Sequence, residues 1–259
     1  MAEGPQWGEH TVKVSGTEHF LRRGGKGKPL LVLPHDIGTL DRTDFYDALA
    51  ANFDVIVPDY AGWGRSPRPQ WMRSVRDVAV HMQGLIDGLG LEKPAIVGLG
   101  FGGWVAAEMA TMAPKAQAGV VLVGPFGIKP EEGYILDQAI ISYLDYPQAF
   151  FHDPAHFKKH YGDVSIDQLE AWDIAREMCF RIAWKPYMYS QTLPHLLGVA
   201  KAPALVVWGE HDKVIAPSTA AQWTAAMPGA KSEIVKCTGH AVDMEKPAEL
   251  AKLVAGFIK

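Results

Sequence analysis

Cysteine is nearly absent: Cys179 and Cys237 are the only two in 259 residues. Two cysteines make no disulfide framework and read as reduced thiols, which points to a cytoplasmic protein. Ten histidines are present, but none stands at metal-ligand spacing with a cysteine, so no metal site is expected. Charge of one sign is also lacking. The 25 Lys and Arg are mixed with 29 Asp and Glu, for a net charge of −4, which gives neither a nucleic-acid stripe nor a polybasic membrane patch. No apolar run is long enough to span a membrane, and Met1-Ala2-Glu3-Gly4-Pro5 has no apolar core of a signal peptide. The partner left to expect is a small molecule, and nothing fixes the oligomeric state. One further absence is a single side chain, at residue 100.

That residue lies in Pro94-Ala95-Ile96-Val97-Gly98-Leu99-Gly100-Phe101-Gly102-Gly103-Trp104-Val105-Ala106-Ala107-Glu108-Met109-Ala110. An apolar run breaks at glycines and resumes as a small-residue helix: strand, sharp turn, helix. Gly98 and Gly102 frame a nucleophile elbow, whose tip ordinarily carries serine on a strained turn. Here the tip is Gly100. Gly98, Gly100 and Gly103 also spell the dinucleotide fingerprint G-x-G-x-x-G. That motif needs an acidic residue after the next strand, but Val120–Val123 runs into Gly124-Pro125-Phe126-Gly127. A glycine-rich corner kept only for packing is the plainest alternative.

Around the elbow, apolar runs alternate with helical patterns. Residues 11–22 suggest two short strands turning at Ser15-Gly16, and 24–27 a loop. Strands follow at 29–33, 53–58, 120–123, 204–208 and 232–236. Helices are expected at 41–52, 72–89, 217–226 and 247–258. Continuous apolar strands between helices imply an α/β fold with a mostly parallel sheet, which binds ligands beyond the carboxyl ends of its strands. From about Pro130 to Pro194 the pattern changes: Tyr134, Tyr143, Tyr146, Phe150, Phe151, Phe157, Tyr161 and Trp172 crowd among histidines, with a helix at 167–183. This reads as a helical lid, 130–195, between core portions 1–129 and 196–259. Helices packed on the core edge would give the same pattern.

Two later strand ends carry polar groups, Gly209-Glu210-His211-Asp212 and Cys237-Thr238-Gly239-His240. In a parallel sheet they open on the face that carries the elbow tip. Elbow, acid, histidine is the chain order of α/β-hydrolase triads, with Asp212 holding Nδ1 of His240. Singly, a loop aspartate is often a cap and a loop histidine a surface group; their joint placement is the signal.

With Asp59-Tyr60-Ala61-Gly62-Trp63-Gly64-Arg65-Ser66, Phe151-His152-Asp153-Pro154-Ala155, the elbow and the Asp212 and His240 loops, the chain resembles the α/β-hydrolase superfamily from about residue 18 onward. It is most similar to small lidded bacterial esterases and carbon–carbon bond hydrolases of aromatic degradation. The resemblance implies an α/β-hydrolase fold and no cofactor. It places the oxyanion-hole amides at Ile37 and Phe101 and the catalytic pair at Asp212 and His240. The sequence departs from the pattern at Gly100 and at Asp36, where His35-Asp36 stands for the usual His-Gly. Asp36 can face the pocket as a second acid or base, or face solvent. His35, Trp104, Phe126 and Trp184 are the candidate substrate contacts, and Arg65 is a weaker one.

Glycine excludes an acyl-enzyme at residue 100. Three readings follow. The first is a serine-free enzyme with His240 as general base, a hydrolase before a lyase, isomerase or oxygenase, acting on a small aromatic or apolar carbonyl compound. The second is a serine hydrolase inactivated at position 100. The third is a non-catalytic ligand-binding relative.

Overall fold

The apolar runs form the centre of an eight-stranded sheet in the computed structural model, which describes residues 5–258. Met1–Gly4, part of the stretch read against a signal peptide, lie outside the described residues. In chain order the elements are β1 (Trp7–Val14), β2 (Thr17–Gly25), β3 (Lys28–Leu33), α1 (Asp44–Ala50), β4 (Phe53–Pro58), α2 (Val75–Gly88), β5 (Ala95–Leu99), α3 (Phe101–Met112) and β6 (Val120–Val123). Four helices follow: α4 (Asp145–Gln148), α5 (Pro154–Tyr161), α6 (Ile166–Ala183) and α7 (Leu193–Leu196). The chain closes with β7 (Ala204–Gly209), α8 (Thr219–Ala226), β8 (Lys231–Val235), α9 (Val242–Glu245) and α10 (Pro247–Phe257).

The strand order is β1-β2-β4-β3-β5-β6-β7-β8. The β1–β2 and β2–β4 pairs are antiparallel and all later pairs parallel. Strands β5 and β6 are buried at every position, as a sheet covered on both faces requires. The outermost strand β8 instead exposes Lys231 and Glu233, charges that discourage edge-to-edge pairing.

Local chemistry sets the helix ends. The patterned helix at 72–89 starts only at Val75, because Ser74 caps it and Asp77 reaches back to the Ser74 amide. Ser165 likewise caps α6, and Asp153 with Pro154 starts α5. The short helices α4, α5, α7 and α9 are not legible from periodicity, being only one or two turns long. The expected loop at 24–27 is shorter, since β2 continues to Gly25.

Strand β3 lies between β4 and β5, so the chain leaves it first to one side and then to the other. Such a reversal, at the carboxyl ends of β3 and β5, is where open α/β sheets bind ligands. His35 follows β3 and Gly100 follows β5.

Candidate active site

Gly100 sits between β5 and α3 with φ 50° and ψ −109°. That is positive-φ backbone, which glycine adopts without Cβ strain. The turn is also tight: a Cβ on Gly102 would lie 2.2 Å from the Leu33 carbonyl oxygen, and one on Gly98 2.3 Å from that of Gly102. The glycines framing the elbow are therefore required by backbone approach alone.

The amides of this loop are largely committed. Gly100 N–H donates to Val123 O at 2.8 Å, Gly102 N–H to Pro34 O at 3.1 Å and Gly103 N–H to Gly100 O at 3.0 Å. Such a loop is a poor cradle for a pyrophosphate, and the dinucleotide reading fails on that ground. Phe101 is the first residue of α3, so its N–H has no carbonyl one turn back to donate to. Ile37 occupies the turn closed by Gly38 N–H to His35 O at 3.1 Å. Trp63 Nε1–H donates to Asp36 O at 2.9 Å and pins the same turn.

Asp212 and His240 are brought together as expected. His240 Nδ1 lies 2.7 Å from Asp212 Oδ2. Asp212 Oδ1 accepts from the amides of Val214 at 2.7 Å and Ile215 at 2.9 Å, which fixes the carboxylate. Burial pushes the His240 imidazole down, but Asp212, aided by Asp36 and Asp243, outweighs it and the net direction is up.

Asp36 faces inward, toward the buried group. Its Oδ2 accepts from Tyr146 OH at 2.7 Å and from Gln138 Nε2 at 2.9 Å. Burial raises its pKa, and the Tyr146 hydrogen bond and both histidines offset only part of that rise.

His35 belongs to the same cluster. Its ring centroid is 5.3 Å from that of His240, and its Nε2 is 2.9 Å from Asp243 Oδ1. A Cβ built on Gly100 would lie 2.7 Å from His35 Nδ1 and 2.8 Å from His240 Nε2. His35 Nδ1, His240 Nε2, Asp36 Oδ1 and Asp243 Oδ2 are all buried without a hydrogen-bond partner. Natural structures leave few such groups, and each calls for an explanation.

Aromatic rings close the cluster. Phe150 stands edge-on to His240 at 4.7 Å between centroids and to His35 at 5.4 Å; Phe126 meets His240 at 5.7 Å. Trp104 is buried beside Phe101, but its indole N–H is directed to Glu108 at 3.3 Å. Trp184 is not brought to the histidines: it is 49% exposed and packs on Phe180 and Tyr187. The continuous aromatic patterning of its segment conceals that its ring points outward. Arg65 also stays outside, paired with Glu9 at 2.9 Å. Among the described residues, no group of three or more His, Cys, Asp and Glu is placed to hold a metal ion.

Sequence reasoning missed Asp243 and Gln138. Asp243 stands three residues after His240 in the one-turn helix α9, but nothing separates it by pattern from neighbouring Glu245. Tyr146 and Phe150 were visible only as members of an aromatic-rich stretch.

Residues 31–253 match the Alpha/beta hydrolase family. The chain belongs to that family. Its relatives include a 2-hydroxy-6-oxononadienedioate/2-hydroxy-6-oxononatrienedioate hydrolase of Paraburkholderia phymatum, 27% identical over 271 residues, covering 95% of this chain and 93% of that one. An uncharacterized protein of Mycobacterium tuberculosis is 26% identical over 272 residues, covering 95% of this chain and 79% of the relative. Among solved structures, the 2-hydroxy-6-oxo-6-phenylhexa-2,4-dienoate hydrolase of a Rhodococcus strain superposes with a TM-score of 0.79 at 18% identity, covering 98% and 99% of the two chains. A meta-cleavage product hydrolase gives 0.80 at 21% identity, covering 96% and 97%. At such identities the structural likeness carries the fold alone. As an alpha/beta hydrolase, the chain also has no described helix long and apolar enough to cross a membrane.

Proposed function

We propose that this alpha/beta hydrolase is a cofactor-independent cytoplasmic enzyme that hydrolyses a small aromatic or apolar carbonyl compound without a protein nucleophile. His240, held by Asp212, is its general base. The observation that carries the reading is the crowding at residue 100, where a Cβ would lie within 2.8 Å of two ring nitrogens. The site is arranged around a glycine, and a side chain there must displace one of the imidazoles. The surviving Asp212–His240 hydrogen bond supports catalysis over mere ligand binding, since a simple pocket has no need of an oriented base.

In this reading His240 Nε2 removes a proton from water while the water oxygen bonds to the substrate carbonyl carbon. The carbonyl electron pair moves to its oxygen, stabilised by the amides of Ile37 and Phe101. Collapse expels the leaving group with the electron pair of its bond, and protonated His240 returns the proton to it. The bond broken is C–O in an ester and C–C in a β-diketone. The apolar surround of Phe126, Phe150 and Tyr146 suits an aromatic or apolar substrate with few polar anchors. The names of the hydrolase relatives support a carbonyl substrate, since both name a 2-hydroxy-6-oxo acid and one of them carries a phenyl group. Segment 130–195 acts as the lid, because its Tyr146, Phe150 and Gln138 cover the histidines and must move aside for entry.

The test is turnover of activated aromatic esters and β-diketones by the wild type, Gly100→Ser and His240→Ala. The expected result is an active wild type, a loss of about 10³-fold in His240→Ala, and no gain in Gly100→Ser. Activity confined to Gly100→Ser would mean a serine hydrolase lacking its nucleophile. Binding without turnover, unaffected in rate by any variant, would mean a ligand-binding relative.

A further inference from the structure

Two imidazoles, not one, aim a nitrogen at the elbow tip. Each is held from behind by a buried carboxylate: His240 by Asp212 at 2.7 Å through Nδ1, and His35 by Asp243 at 2.9 Å through Nε2. A carboxylate accepts the ring N–H that faces it, so the opposite nitrogen of each neutral ring carries a lone pair. Those nitrogens, His240 Nε2 and His35 Nδ1, have no hydrogen-bond partner among the described residues. Both converge on one point, one bond length from the Gly100 Cα.

We propose that His35, positioned by Asp243, is a second acid–base group of this site, and that His35 Nδ1 and His240 Nε2 together hold the reacting water just above Gly100. The proposal rests on the serine-free hydrolysis argued above and assigns it a second catalytic residue. Two acceptors take both hydrogens of one water, which leaves the oxygen lone pairs turned toward the substrate. A side chain at residue 100 would remove this arrangement, which gives the glycine a chemical reason.

The second base also has a step of its own. His240 Nε2 takes the first proton as the water oxygen bonds to the carbonyl carbon. When the bond to the leaving group breaks with its electron pair, that group takes the proton back from His240. The hydroxyl of the tetrahedral intermediate still carries the second proton, hydrogen-bonded to His35 Nδ1. His35 accepts it as the carbonyl re-forms, so the product leaves as a carboxylate. The sum is one carbonyl compound and one water converted to a carboxylate, a protonated leaving group and one proton on His35 that passes to solvent.

The charged groups facing the pair are few. Asp212 reaches it from the loop after β7, Asp243 from α9 and Asp36 from the loop after β3. Tyr146 and Gln138 face it from the helical segment. Burial keeps Tyr46 and Tyr161 near Asp243, and the Cys179 thiol near Asp36, protonated.

The experiment compares His35→Gln, Asp243→Asn and His240→Ala with the wild type on the best substrate of the ester and diketone panel. In His35→Gln, kcat should fall about 10²-fold with KM within about 3-fold, and the acid limb of the kcat profile should become less steep, because one base rather than two must be unprotonated. Asp243→Asn should shift that same limb, as expected of a positioning residue. ¹⁵N-histidine spectra give a readout free of activity: neutral His35 should carry its proton on Nε2 and neutral His240 on Nδ1. If His240→Ala is inactive while His35→Gln keeps kcat and the wild-type slope of the acid limb, His35 is structural and the hydrolytic reading stands alone. If both variants turn over like the wild type, the hydrolytic reading falls and this inference with it. If His35→Gln does not fold, the spectra decide, and a proton on His35 Nδ1 overturns the proposal.

Discussion

The molecule buries two pairs of histidines, and they differ in what stands behind them. At the elbow, His35 and His240 each have a carboxylate partner and direct their second nitrogen away from it. Toward the other side of the sheet, His19 on β2 and His81 on α2 hydrogen-bond to each other, Nε2 to Nδ1 at 3.0 Å, and the charge of Asp77 offsets only part of the burial of His81. Burial first and His81 second push the His19 pKa down to about 4, and burial lowers that of His81 as well. His240 is no less buried, yet its direction is upward. A buried imidazole without a hydrogen-bonded anion is a neutral hydrogen-bonding core residue; the same ring with one can hold a proton and give it back. This difference, more than burial or histidine count, supports the elbow as the proposed chemical site.

Converting one kind into the other is the strongest way to break the comparison. In Asp212→Asn the amide oxygen takes the Oδ1 position that accepts from Val214 and Ile215, so the NH2 group faces His240 Nδ1, the imidazole proton moves to Nε2, and nothing remains to stabilise the imidazolium. Turnover should fall about 10³-fold, or about 4 kcal/mol of barrier. The acid limb of kcat/KM should also move to lower pH, because the base must be unprotonated and its pKa, freed of Asp212, follows burial downward. An unmoved limb would show that Asp212 is not what sets the proton affinity of His240.

The same contrast explains what was legible in the sequence. Gly100 directly follows β5, and Asp212 and His240 lie three and five residues past the ends of β7 and β8, so the strand pattern projects all three onto one edge of the sheet. Asp243 is reached only through the irregular turn at Ala241 and the one-turn helix α9, where no period announces which acidic residue points inward. Asp36 was visible as a departure from the His-Gly pattern, but its direction depends on Tyr146 and Gln138, contributed from more than 100 residues away. The sheet, the order of its long helices and the elbow could be read from periodicity and glycine placement. The partners that hold the second histidine and the aspartate could not, since they are contacts between segments with no shared pattern.

The His19–His81 pair offers a second, smaller test. A histidine whose pKa is depressed in the fold binds fewer protons there than in the unfolded chain, so its contribution to stability is lost as pH falls. The window runs from the unfolded value near 6.5 down to about 4. From that difference the loss attributable to His19 is at most about 3 kcal/mol. His19→Gln keeps a hydrogen-bonding group but cannot titrate. Urea unfolding at pH 7 and pH 5 should therefore show a shallower loss of stability for the variant than for the wild type. An unchanged slope would place the acid sensitivity elsewhere.

Trp71 gives the mildest version of the same argument. Its ring lies over His81, 5.1 Å between centroids, and is itself half exposed. It shields the pair from water without contributing charge. Trp71→Ala should cost about 0.5–1 kcal/mol at pH 7 through the lost ring contact. It should also raise the His81 pKa toward its ordinary value, because water then reaches the imidazole. NMR titration of the histidine Cε1–H resonances separates the two effects. An upward shift at His81 with His240 unmoved would show that exposure to solvent governs this pair. A fixed His81 would mean that its contact with His19, rather than burial, keeps it neutral.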